Sequence, residues 1–161
     1  MNNVIVNSQE IPLPSWSGFA ADFALKVLDK INRNNWELSI LFCDDKTITN
    51  LNNQYRNKNE PTDILSFNLG ETVPDIKSKN SDKTIYLAGD IVISLDTLSE
   101  NAQYFKIPED EELRRLIIHG ILHLDGMNHD TINPDEPMIV LQEEILNELK
   151  NERIITAGGK K

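Results

Sequence analysis

Cysteine is nearly absent: the one thiol, Cys43, permits no internal disulfide and fits a reducing cytosol. Long apolar runs are missing altogether, and without a stretch of about 18 apolar residues no segment reads as a membrane span. The opening MNNVIVNSQEIPLP has no basic segment followed by an apolar one, so it does not read as a secretory signal, and a cytoplasmic location is the expectation. There is no internal repeat. Basic residues are scarce, 16 against 26 acidic, and the formal net charge of −10 counts against the ordinary electrostatic picture of a nucleic-acid binder. Net charge is silent on local distribution, however, and an acidic protein has room for a basic cleft. Aromatics amount to 6% within 39% hydrophobic residues, with 26% charged, the composition of a soluble globular protein.

At 161 residues the chain has the length of one domain able to bury a core without staples. Val4-Ile5-Val6 starts a first strand. Phe19, Phe23, Val27, Leu28 and Ile31 recur at helical spacing, which predicts a helix over 16–32 with Ser15 as its cap. Trp36, Leu38, Ile40 and Phe42 alternate as a strand. Asp44 or Asp45 caps a helix carrying Ile48, Leu51 and Tyr55, and DILSF at 63–67 is a short strand after Pro61-Thr62. Residues 68–84 are polar, with Gly, Pro and Ser, and read as a long loop. Such a loop in a compact domain is functional or mobile, here a flap whose Lys77, Lys79 and Lys83 are candidates to meet phosphates. IYLAGDIVI at 85–93 has apolar residues on both faces, as a central strand does, and Ser94 caps a helix with Leu95, Leu98, Ala102 and Phe105. Pro108 suits a first helical position. Glu109, Asp110, Glu111 and Glu112 then fill a first turn that the helix dipole favours. Leu113, Leu116, Ile117, Ile121 and Leu124 supply that helix's apolar stripe, and Gly126 stops it. A last helix starts near Pro137 with Met138, Leu141, Ile145 and Leu149. The expectation is a single α+β domain over 1–150, a small mixed β-sheet packed with about five α-helices, and a frayed tail over 151–161.

All three histidines lie in HGILHLDGMNH, residues 119–129. His119 and His123 are four apart on a predicted helix and project from one face. The turn at Gly126 folds the chain back to deliver His129. Three neutral ligands and an open position make the pattern of a catalytic zinc, one ion per chain. A structural zinc closes its shell with a fourth ligand, and the only thiol is in a distant apolar strand. The spacing H-x3-H-x5-H, with Gly126 three residues after His123, matches the long zinc-protease motif. In that motif Glu follows the first His as general base; here Gly120 stands there, and the usual route of peptide hydrolysis lacks its base. Met138 fits core packing better than a methionine turn.

Three segments together, LNNQYRNKNEPTDILSF at 51–67, LAGDIVIS at 87–94 and HGILHLDGMNHD at 119–130, resemble the YbeY family of bacterial rRNA-maturation endoribonucleases. They occur in the family's order with similar separations, and the resemblance covers most of residues 36–149. Ile64 replaces the valine of the usual TDVLSF, and the three zinc positions show no departure. The resemblance implies that His119, His123 and His129 hold zinc, that Arg56 is the catalytic or phosphate-contacting arginine, and that Asp90 is a supporting carboxylate. It implies single-stranded RNA as substrate, including the 3′ region of 16S rRNA. It also implies the small ribosomal subunit and assembly factors as partners, with neither membrane nor DNA. Arginine's planar fork suits phosphate, and a guanidinium beside the metal offsets charge developing in the transition state. Asp130 is a further candidate to orient a histidine, whereas Ser66 and Asp63 suit the 61–67 turn. Two other readings stand beside this one: a zinc peptidase or other metallohydrolase, and a ribosome-assembly module whose metal is structural.

Overall fold

The computed structural model describes residues 1–80 and 82–156. In chain order these form β1 (Asn3–Ser8), α1 (Ser17–Lys30), β2 (Trp36–Cys43), α2 (Asp45–Arg56), β3 (Ile64–Pro74), β4 (Thr84–Ser94), α3 (Leu95–Phe105), α4 (Glu109–Leu124) and α5 (Pro137–Glu148). The sheet runs β1-β2-β4-β3, with β1, β2 and β4 parallel and β3 antiparallel to β4. This is the expected α+β fold with a small mixed sheet.

Strand alternation divides the interior in two. Leu38, Ile40, Phe42, Ile91 and Ile93 point into a large core shared with α1, α4 and α5. Their neighbours Cys43, Val92 and Leu65 point the other way, into a small cluster that Ile48 of α2 closes. The central strand β4 is therefore apolar on both faces, as its sequence indicates. Helix α4 is the axis of the fold. Leu113, Ile117, Ile118, Ile121 and Leu122 are fully buried, because α1, α3, α5 and the sheet surround the helix. Gly120 permits its close approach: a Cβ there would lie 2.9 Å from Ile91 Cδ1 and 3.1 Å from Ile64 Cδ1.

Several local expectations change. Asp44 caps α2 by accepting from the Thr47 N–H, and Ser94 caps α3 through the Thr97 N–H. Helix α1, however, starts from Trp16 without a side-chain cap, so Ser15 does not serve. Pro108 is the cap of α4 rather than its first helical residue. The loop expected over 68–84 is mostly a hairpin: β3 continues to Pro74, paired with Thr84 of β4. Asn68, Leu69, Gly70, Glu71 and Thr72 are exposed, so no apolar alternation marks them, and only the ladder with β4 makes them a strand. The tail is not frayed over its first six residues. Ile154 is fully buried, and the Ile154 and Ile155 N–H groups both donate to Asp110 Oδ1 at 2.7 Å. Residues 157–161 of the expected tail lie outside the described residues.

Candidate metal centre

The centre is built at the C-terminal end of α4. One helical turn separates His119 from His123. The helix then closes in a Schellman arrangement, with Gly126 N–H donating to His123 O and Met127 N–H to Leu122 O, each at 3.0 Å. Gly126 sits at φ +91°, a conformation that costs a glycine little, and the reversal carries His129 back over the helix. The ligand atoms of His119, His123 and His129 all lie within 4.8 Å of one another. His119 Nε2 and His123 Nε2 are 3.0 Å apart, close to the separation of about 3.3 Å between two nitrogens on a tetrahedral zinc.

Hydrogen bonds fix which nitrogen faces inward. His119 Nδ1 is 2.6 Å from Gln142 Oε1, His123 Nδ1 is 3.0 Å from Met127 O, and His129 Nδ1 is 2.8 Å from Thr131 O. Each partner is an oxygen that only accepts, so each Nδ1 carries the proton and each Nε2 presents a lone pair. The orientation of Gln142 is itself set, because its Nε2 donates to Glu143 Oε2 at 3.1 Å. Burial pushes the pKa of His119 down. Burial also leads at His123, reinforced by His119, His129 and the positive charge of Arg56. Neutral, pre-oriented imidazoles are what a divalent transition metal requires, and the donor set fits one.

The other candidate residues divide. Arg56 is the last residue of α2, exposed, and followed by Asn57 in the left-handed conformation that ends the helix. Its charge is felt at His123, and among the described residues it has no carboxylate within ion-pair distance. Asp90 does not join the histidines. It points away from α4, on the sheet face opposite Ile91, and accepts from Ser39 Oγ on β2. Alternation along β4 decides this: a carboxylate next to inward-facing Ile91 must face outward. Asp130 is exposed, and the orienting roles belong to Gln142 and two backbone carbonyls instead. Asp63 ties its segment to the neighbouring elements: its carbonyl accepts from the Ser94 N–H, and Asn101 Nδ2 donates to its Oδ2 at 3.4 Å. Lys77 and Lys83 border the start of β1 and β2 at the hairpin tip, about 20 Å of strand beyond Asn68. Asn68 itself is at the site, where its Nδ2 donates to His123 O at 3.2 Å. Sequence reading passed over both Asn68 and Gln142. For Gln142 a signal existed, since it interrupts the apolar stripe of α5 and is buried.

With this geometry in view, the comparisons are specific. Residues 4–150 match the family model described as Endoribonuclease YbeY. The protein named Endoribonuclease YbeY of Treponema denticola is 50% identical over 133 residues, 83% of each chain. Its namesake in Treponema pallidum is 41% identical over 159 residues, 98% of this chain and 95% of the relative. Among solved structures, the solution structure of a Thermotoga maritima protein matches with a TM-score of 0.60 at 22% identity, over 92% of this chain and 90% of that one. This last likeness is one of fold.

Proposed function

The chain belongs to the YbeY family of endoribonucleases, and on that premise we propose that it cleaves single-stranded RNA in the cytoplasm during maturation of the 16S rRNA 3′ end. The small ribosomal subunit and its assembly factors are the partners of this reading, and zinc is the metal. The observation that carries it is the convergence of three Nε2 lone pairs, with the charge of Arg56, an arginine with no carboxylate partner among the described residues, felt at His123.

Zinc held by His119, His123 and His129 supplies Lewis acidity toward a phosphodiester. The chain's own groups do the rest. Gln142, Met127 O and Thr131 O hold the three rings in the ligating tautomer. Arg56 binds the scissile phosphate through its planar fork and offsets the negative charge that grows in the transition state. Its charge is available for this because among the described residues no acid is within ion-pair distance of it. Asp90, which accepts from Ser39 Oγ, is not among the converging ligands, and this reading gives it no step.

The peptidase reading fails at one residue. Gly120 provides no base, and a side chain there would have to displace Ile91 and Ile64. A purely structural metal fits less well, since three ligands leave the coordination shell open and a cavity adjoins it. The test is single-turnover cleavage of a short single-stranded RNA by protein of verified metal content. Arg56→Ala is expected to keep its metal and fold but to cleave ~10²-fold more slowly or worse, the scale of losing one preorganised donor. Arg56→Lys recovers part of the rate, having the charge without the fork. A metal-loaded Arg56→Ala protein of full activity would overturn the role.

A further inference from the structure

A cavity of about 530 Å³ adjoins the metal centre, and the metal centre alone does not account for it. His119 and His129 line one side. Ile64, Leu116, Ile132 and Ile139 make apolar walls, and Glu112 and Arg115 bring charge into the same space. Ile132 is 86% exposed, a large apolar side chain held in solvent on the cavity's border.

Glu112 is the unusual residue. Its side chain is 8% exposed, yet among the described residues no donor gives its carboxylate a hydrogen bond. Its ionic neighbour, Arg115 Nη1, stands 3.8 Å away, beyond hydrogen-bonding distance. No buried side-chain oxygen among the described residues lacks a partner, so the Glu112 carboxylate meets solvent in the cavity, and a ligand with N–H donors would take the place of that water. Arg115 is held in place by Glu143, through Nε at 3.0 Å and Nη2 at 3.1 Å, and by Glu111, through Nη1 at 3.3 Å. A guanidinium has five N–H groups, which leaves two of Arg115 for a ligand. The cavity is not built for a second cation. Among the described residues the histidines are the one group of three or more ligating side chains that converge, and Asp63, Glu112 and Glu143 do not.

Spacing along α4 connects this cavity to the chemistry. Glu112 and Arg115 lie on the helix face that carries His119, and Glu112 precedes His119 by two turns, about 10 Å along the axis. That is the reach from a nucleotide's phosphate to the far edge of its own base.

We propose that this cavity is a nucleobase subsite of the RNA-cleaving centre and that it selects guanine; the inference rests on the endoribonuclease reading above. The apolar walls take the faces of the base. Glu112 accepts from guanine N1–H and the N2 amino group, and Arg115 donates to O6. Guanine alone among the four bases puts two adjacent donors on one edge beside an acceptor, the complement of a carboxylate next to an arginine. Adenine and cytosine offer one amino group beside a ring acceptor, and uracil has a single N–H between two carbonyls.

The experiment has two arms on the full-length, metal-loaded protein. In the first, guanosine, inosine and adenosine 5′-monophosphates are titrated against wild type and Glu112→Gln by calorimetry or NMR. Guanosine monophosphate is expected to bind about ten- to hundred-fold more tightly than adenosine monophosphate, with inosine, which lacks the 2-amino group, in between. Glu112→Gln should remove most of that ratio. Equal wild-type affinity for guanosine and adenosine nucleotides, or a preference that survives in Glu112→Gln, overturns the proposal. The inosine comparison needs no variant, so it decides the matter even where the glutamine protein folds poorly. In the second arm, oligoribonucleotides with a single guanosine replaced by adenosine are cleaved by wild type. A lower rate at sites that lose the guanosine supports the subsite, and indifference to the change counts against it. RNA cleavage without base preference leaves the endoribonuclease reading standing and the subsite refuted. Guanine-selective nucleotide binding without any RNA cleavage refutes the endoribonuclease reading, and with it the cavity's role as a subsite of an RNA-cleaving centre, while leaving its base selectivity.

Discussion

Replacing Gln142 with methionine separates the orientation of the metal centre from the stability of the fold. The side chain is 6% exposed on α5, and methionine has a similar length, so the helix can keep its packing. What disappears is the acceptor 2.6 Å from His119 Nδ1. In the metal-free protein the imidazole has an escape: its proton moves to Nε2, where the His123 Nε2 lone pair accepts it across 3.0 Å. Metal binding closes that escape, because Nε2 is the ligating atom and the proton must return to a buried Nδ1 with no partner. An unsatisfied buried donor costs about 1–3 kcal/mol. The same perturbation in other metal–histidine sites weakens binding about 10–100-fold, or about 1.4–2.7 kcal/mol. Gln142→Met should therefore weaken zinc binding by that factor, measured by competition with a chromophoric chelator. The unfolding midpoint of its metal-free form should fall by no more than about 4 °C, equivalent to about 1 kcal/mol. Affinity unchanged within about twofold would refute the tautomer argument; equal losses in metal-free stability and in binding would mean that Gln142 acts by packing.

Elemental analysis should find about one zinc per wild-type chain, and His123→Ala should lose most of it; full occupancy in that variant would remove the three-histidine assignment. Asp110→Ala should destabilise the fold by about 3–5 kcal/mol in chemical denaturation, because it strands the buried Arg114, which donates to Asp110 Oδ2 at 2.9 Å, and frees the Ile154 and Ile155 N–H groups. A loss under about 1 kcal/mol would show that the C-terminal segment is held by Ile154 alone. Burial pushes the Cys43 thiol up to about 12, so the folded state keeps a proton that the unfolded chain releases near its ordinary value of 9.0. Stability from this group is complete below that value and is lost as pH rises from about 9 toward 12, by up to about 1.4 kcal/mol per pH unit. Cys43→Ala should flatten that part of the stability profile, and an unchanged slope would show that other groups carry it.

The sequence by itself determined the elements whose interactions are local or periodic. Helical spacing located α1, α4 and α5, alternation located β2, and the short-range caps of Asp44 and Ser94 followed from their side chains. The histidine triplet was legible for the same reason: two ligands one turn apart and a third just past a glycine reversal need only the geometry of one helix end. Whatever depends on partners distant in the chain was not. The outer half of β3 has no apolar face to announce it, and only its ladder to β4 makes it a strand. The packing of 151–156 depends on Asp110, 44 residues before Ile154. Asp90, a supporting carboxylate only by resemblance, lies on the sheet face opposite Ile91, a placement set by which face α4 covers. Gln142 reaches His119 across 23 residues, and the charge of Arg56 is felt at His123 from another helix. Periodicity records which side of an element is buried, but it does not record against what. The tertiary structure therefore decided which polar groups hold the metal's ligands in their tautomer and which acids meet a substrate.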